Sequence, residues 1–487
     1  MDRWLNQSFD AAGTWGRAQL RCVTVILIGQ VSASCQMVYN VFVARPAQLA
    51  CIKQPADVAA NVTFSDPHQV CRPELCAEFG LVSPQWRSIA VEWSLYCADA
   101  YKTDMAQSAT MLGVLVGAPL WGMLADCFVD SYSLFVLLRV AGGFGAAGYA
   151  IASFVLGSEL LSSAHRTSYA LSVMCAFAVG IALYAAMAAA TDNWRALTLL
   201  VALVTAAITL LSLSLPESAR WLTSMGRLRA ARSVFQRIAS LNGRRYEVEL
   251  PKSVDCDEAA DVWHERDDVG DMVNLIKQPE AGANVAVSEP DQDNLTALLA
   301  NSTGRRWLLV QMYSWLAASM VYYGLTMGSG KLSSNYYVSV ALSGLVETPA
   351  YAVVGMLQHR VGRRWLFSAP FIVASASCLV ASNIPILALL AKAGVSAAFG
   401  VVWLHSAEIF PTKLRNAGIG VCSMAARVGG MAAPVIPMTL KTYHLYGLMD
   451  ELAVFGAIGL AAAVFHLGLP ETKGKQLPET VPQMLDL

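Results

Sequence analysis

About eleven apolar stretches, each near 20 residues long and separated by short polar connectors, run through this 487-residue chain. A bilayer core needs about 20 apolar residues per helical span. In lipid every backbone N–H and C=O must be satisfied inside the segment or by a closed barrel, so such stretches fold as helices. The expected class is an all-α polytopic membrane protein. Composition agrees: 55% of residues are hydrophobic and 14% charged, against about 25% charged in soluble domains. Mean hydropathy is +0.47. A net charge of −1 and the lack of a long basic run argue against a nucleic-acid partner.

Residues 1–21 are polar and carry Arg3, Arg17 and Arg21 beside the first span, 22–43. That span exceeds the apolar core of a secretory signal peptide, so it reads as an uncleaved signal anchor with a cytosolic N-terminus. The polar stretch 44–103 holds Cys51, Cys71, Cys76 and Cys97 together with the acceptor Asn61-Val62-Thr63. Four cysteines and a glycosylation sequon in one loop point to an oxidising, extracellular environment, with Asn61 modified and disulfides in one of three pairings. A zinc site at Cys71 and Cys76 would need two further ligands at suitable spacing, and no metal site is expected.

Further apolar segments cover 104–125, 133–157, 167–190 and 195–215, giving an N-terminal bundle over 22–215. Residues 216–305 are polar. Arg220, Arg227, Arg229, Arg232, Arg237, Arg244 and Arg245 cluster there, which marks a cytosolic central loop. A second apolar group, 306–468, forms a C-terminal bundle, and 469–487 is a short cytosolic tail. Two groups of spans about one long loop fit a transporter built from two similar halves.

Local motifs sharpen this. Glu92-Trp93-Ser94-Leu95-Tyr96-Cys97 precedes the second span, and Pro216-Glu217-Ser218-Ala219-Arg220-Trp221-Leu222 opens the central loop. Tyr322-Tyr323-Gly324-Leu325, Ser343-Gly344-Leu345-Val346-Glu347-Thr348-Pro349-Ala350 and Glu408-Ile409-Phe410-Pro411-Thr412 follow in order. Arg427-Val428-Gly429-Gly430 and Pro470-Glu471-Thr472-Lys473-Gly474 complete the set. Jointly they resemble the organic cation, anion and zwitterion transporters, solute carrier family 22, of the major facilitator superfamily, over about Gly13 to Glu479.

The resemblance implies two six-helix bundles, a central cavity and alternating access for small organic ions. It also implies a plasma-membrane location, with no cofactor and no enzymatic activity. Anion and zwitterion carriers of the family tend to have arginine where this chain has Arg427, and cation carriers aspartate. An ionised side chain inside an apolar span costs several kcal/mol unless it faces a partner or a wet cavity. Arg427 is therefore expected either to draw anionic substrates or to pair with a buried acid such as Glu347. Glu347, itself a cavity candidate on a segment that should line the cavity, is expected either to contact cationic groups or to serve only as the counter-ion to Arg427. Tyr322, Tyr323, Tyr351 and Trp403 are candidate cavity aromatics, able to stack on flat solutes or hold cations. Tyr351 stands where some anion carriers have lysine, which counts against anions. The family also implies ion pairs at helix ends that lock a gate in one state. The candidates are Asp126, Glu159, Arg166, Glu217, Arg220, Arg363, Glu408, Arg415 and Glu471, the alternative being helix capping or anchoring at the lipid interface.

One departure is large. The superfamily signature that should follow the second span begins as Gly122-Met123-Leu124-Ala125-Asp126 and then loses its basic half. Ser131 to Arg139 already resembles the start of the fourth family helix, so the third helix is missing, leaving 11 to 12 spans in the fold class. A simple deletion of one span reverses every later helix and puts the arginine-rich loop outside. A splice form or faulty gene model, a segment near 126–157 that preserves the frame, and a degenerate paralogue that binds or scaffolds without transporting are the three readings.

Overall fold

The computed structural model describes the chain except residues 1, 54–70, 72–75, 77, 83–85, 117–130, 162, 225–226, 250–294, 332–334, 381–385, 412–413, 443–450, 476–477, 479 and 487. Asn61 and Asp126 lie outside the described residues, as does the Arg166 side chain. Helices dominate. The first half comprises α1 (Asp2–Ala12), α2 (Arg17–Met37), α3 (Tyr101–Val116), α4 (Tyr132–Leu160), α5 (Ser163–Ala189), α6 (Trp194–Ser212) and the amphipathic α7 (Leu228–Leu241). The second half comprises α8 (Ser302–Gly328), α9 (Tyr336–Leu345), α10 (Glu347–Leu357), α11 (Arg363–Val380), α12 (Ile386–Ile409), α13 (Arg415–Ala432), α14 (Val435–Thr442) and α15 (Glu451–His466). Among the described residues six helical segments have both the length and the hydropathy to cross a membrane unaided: 17–43, 168–189, 194–212, 336–357, 386–409 and 417–440.

Polar side chains start several of these helices. Ser131 caps α4, Asn193 caps α6 and Asn301 caps α8, each accepting from an N–H two or three residues on. Such bonds satisfy donors that a helix start otherwise leaves open. The connector after the first span is tied by β1 (Leu49–Lys53) pairing antiparallel with β2 (Glu78–Leu81). Of the three possible pairings, the disulfides are Cys51–Cys76 and Cys71–Cys97.

Small residues let helices meet closely. A Cβ added at Gly180 of α5 would fall 2.6 Å from the Val31 carbonyl oxygen of α2. One added at Gly429 of α13 would fall 2.2 Å from the Leu316 carbonyl oxygen of α8. At Gly344 the same test meets the Ala178 carbonyl oxygen at 2.8 Å, and this contact joins α9 to α5 across the two halves. Packing of backbones at glycine is how helices associate in lipid. At the end of the molecule nearer the disulfides the halves also meet through Phe42, whose ring stacks on Tyr337 at 5.6 Å. Tyr336 donates to the Val41 carbonyl there, and Ser108 to that of Met431.

Helix α4 does not run in the sense that simple deletion of one span would give it. Tyr132, at the start of α4, donates to the carbonyl of Lys102 at the start of α3 (2.6 Å) and meets Trp93 edge-on. Helices α3 and α4 therefore begin at the same end. The other end of α4 reaches Leu160, in one cluster with Trp4, Ala12, Leu228 and Phe235. The arginine-rich α7 thus lies beside the N-terminus, where Asn242 bonds the Ala12 carbonyl and the Gln19 side chain. Residues 117–130, which join α3 to α4, lie outside the described residues.

Candidate functional site

The charged centre of the second half is built on Glu347, which sits where α9 gives way to α10 inside one apolar span. Its side chain is fully buried. Three groups compensate it. The Lys392 ammonium of α12 lies 3.1 Å from one carboxylate oxygen. Tyr322 of α8 donates to both oxygens (2.9 and 3.1 Å), and Tyr351, one turn along α10, donates at 3.1 Å. Lys392 also stands 3.1 Å from the centroid of the Tyr322 ring and donates to the Thr326 hydroxyl. A buried charge is tolerable only with this kind of pairing and hydrogen bonding.

Arg427 does not pair with Glu347; Lys392 takes that place. Arg427 lies half-buried on α13, close enough to Tyr323 to interact electrostatically. Tyr323 in turn meets Tyr322 edge-on with centroids 5.3 Å apart. Tyr322, Tyr323 and Tyr351 are buried, and Trp403 is half-buried with its ring 4.4 Å from that of Trp315. Three helices, α8, α10 and α13, thus bring five of the six cavity candidates into one connected group, to which α12 adds Lys392, with Trp403 beside it. The group faces the first half: Phe177 of α5 packs on the same core, and Cys175 lies near Tyr351.

Sequence reasoning passed over Lys392, although a lysine inside the apolar stretch 384–406 is as expensive as Arg427 and was equally visible. Arg139 was passed over as well. It is 1% exposed in α4, with its guanidinium 3.9 Å over the Tyr39 ring. Away from helix ends, the described spans hold one carboxylate, Glu347, against three strongly basic groups, Arg139, Lys392 and Arg427.

The helix-end candidates divide. Arg363 and Glu408 form a forked pair at 2.9 Å, with Thr472 donating to Glu408 at 2.6 Å. Glu471 accepts from the backbone N–H groups of Arg363, Arg364 and Lys473. Burial pushes the Glu471 carboxyl up, but these backbone donors outweigh it and hold the group below its ordinary value. Arg220 bonds the backbone carbonyl of Glu159, not its carboxylate, and stacks on Phe9. Glu217 is exposed, and Arg415 is half-buried at the start of α13. At the disulfide end Glu92, quoted above only as part of a motif, accepts from Arg195 (2.6 Å) and Trp194. Burial raises its carboxyl, yet those two donors bring it below the usual value.

Beside the forked pair, His405 and His466 share a hydrogen bond of 2.9 Å. The chain continues to the Pro470 carbonyl on one side and Ser314 on the other, tying α12, α15 and α8 together. No group of three or more metal-ligating side chains occurs among the described residues.

Comparison with known proteins places this architecture. A family profile described as "Sugar (and other) transporter" matches residues 96–484. "Solute carrier family 22 member 15" of Xenopus tropicalis is 34% identical over 436 residues, covering 82% of this chain and 75% of that protein. A Xenopus laevis protein, "Solute carrier family 22 member 15-like", is 30% identical and covers 99% of this chain and 96% of its own. The fold matches the xylose transporter XylE from E. coli in its partially occluded inward-open conformation. That match has a TM-score of 0.57 at 14% identity, covering 94% of this chain and all of that one. The chain is a multi-pass membrane transporter of the major facilitator superfamily and belongs to solute carrier family 22.

Proposed function

We propose that this protein moves small organic anions or zwitterions across the plasma membrane by alternating access between its two halves. The single observation that carries the reading is the charge inventory of the spans. Lys392 neutralises Glu347, so Arg427, on the same tyrosine-linked group, is left as surplus positive charge. In a low-dielectric interior such a surplus favours a negatively charged occupant. It also answers the objection raised by Tyr351: lysine is absent there, but Lys392 supplies an ammonium hydrogen-bonded into the same cluster. The glycine contact between α5 and α9 supports the mechanism, since closely packed backbones can rock without unpacking large side chains.

The test is uptake into proteoliposomes of radiolabelled benzoate, glycine betaine and tetraethylammonium. Saturable uptake of benzoate or betaine, lost in Arg427→Asp, is the expected result. Uptake of tetraethylammonium alone refutes the charge preference. Saturable binding of the probes with no translocation refutes transport and favours a binding or scaffold role.

A further inference from the structure

We infer that Glu347, Tyr322 and Thr326 form a binding site for a primary ammonium ion, and that Lys392 is its tethered occupant. Three kinds of contact converge on the Lys392 nitrogen. A carboxylate oxygen lies at 3.1 Å, and the Tyr322 ring centroid also at 3.1 Å. The Thr326 hydroxyl and, at 3.4 Å, the Tyr322 carbonyl complete the shell. An ammonium group has three donors and no acceptor, and this set offers it three oxygens and a π face. The carboxylate is held in place independently of the lysine, by the hydroxyls of Tyr322 and Tyr351. The site is therefore built on α8 and α10, and α12 only inserts the cation.

The arrangement makes Lys392 a specificity-determining residue. While its ammonium fills the site, a cationic solute finds no free carboxylate among the described residues of this cluster, and the group presents only the charge of Arg427. Removal of the lysine exposes an acid, an aromatic face and a hydroxyl to any ammonium small enough to enter. The ammonium site itself stands on geometry alone; its consequence for substrate choice rests on the organic-ion reading above.

Chemical complementation tests it. Lys392→Ala removes the side chain beyond Cβ, a piece matched in length by n-propylammonium. Thermal unfolding of the full-length variant in detergent is measured against n-propylammonium, with sodium and tetraethylammonium at equal ionic strength as controls. A saturable rise of roughly 2–4 °C, specific to propylammonium, is expected. It should be absent in wild type, where the site is full, and in Lys392→Ala/Glu347→Gln, where the carboxylate is gone. No propylammonium-specific rise in a folded Lys392→Ala overturns the inference. If that variant does not fold alone, recovery of monodisperse protein from cells grown with propylammonium is the equivalent readout, and no recovery overturns it. In liposomes, Lys392→Ala should gain propylammonium uptake relative to benzoate. Thermal complementation in a protein that takes up no organic ion upholds the ammonium site and refutes the transport reading.

Discussion

Replacement of Glu408 by alanine tests whether the forked pair with Arg363 holds the second half together. The carboxylate ends α12, Arg363 begins α11, and Thr472 lies just beyond α15, so one acid ties three segments. At 2.9 Å the gross attraction is about 6 kcal/mol for an effective dielectric near 20. Much of it is cancelled by desolvation, because the two side chains are only 13% and 17% exposed. Loss of one partner costs more than the pair contributes, since it strands a guanidinium with the Gln358 carbonyl as its remaining acceptor. For fully buried pairs that cost is about 3–5 kcal/mol. Residual water access puts this site at the low end, about 3 kcal/mol, with about 1 kcal/mol more for the lost Thr472 bond. Glu408→Gln keeps an acceptor and should cost about half as much. The assay is unfolding in mixed micelles titrated with dodecyl sulfate, run as a double-mutant cycle with Arg363→Ala. A coupling of about 2 kcal/mol is expected. A coupling below about 0.5 kcal/mol would show that the fork is geometry without energetic consequence.

Two other predictions concern the molecule's ends. Glu471 has a folded-state pKa below its ordinary 4.5, so its stabilising contribution is complete above that value and is lost as pH falls through the lower, folded one. Glu471→Gln should accordingly flatten the acid limb of stability below pH 4.5 while changing little of its slope above that pH; an unchanged acid limb refutes the assignment. At the opposite end, cleavage after Glu74 separates Cys71 from Cys76, and non-reducing peptide mapping should recover Cys51 with Cys76 and Cys71 with Cys97. Each bridge spans 25 or 26 residues, for which chain entropy gives about 3 kcal/mol. A Cys51–Cys71 or Cys51–Cys97 peptide would contradict the structure.

The fold was legible because the bilayer reduces the problem to spans, and hydropathy reads spans directly. The family motifs then located Tyr322, Tyr323, Glu347 and Arg427, which the structure does bring into one neighbourhood. Partner choice was not legible. Glu347 and Lys392 are 45 positions apart on different helices, and spacing says nothing about which of two bases faces an acid. Arg427 stands in a family string and Lys392 does not, so motifs alone mark the first and not the second. The same holds for Glu217 and Arg220: they share the motif that opens the central loop, yet one is exposed and the other bonds a backbone carbonyl near α4. Charge type can be read from a sequence; contact needs the helix rotation that packing fixes.

Helix α4 shows how packing can fix a direction that counting spans leaves open. Simple deletion of one span would run every helix after α3 the wrong way. The start of α4, however, is held by an aromatic cluster at the disulfide end, where Trp93 meets Tyr132, Phe135 and Trp194. Each such ring pair contributes about 0.5–1.5 kcal/mol beyond area burial. Two turns into the helix, Arg139 stacks on Tyr39 of the segment that links α2 to β1. Running α4 in the opposite sense would pull Arg139 off that ring and leave a buried cation in lipid, at a cost of several kcal/mol. It would also carry Leu160 away from the cluster of α1 and α7. The direction of α4 is thus set by contacts at both of its ends. The arginine-rich α7 then falls beside the N-terminal helix, at the end of the molecule that Leu160 reaches.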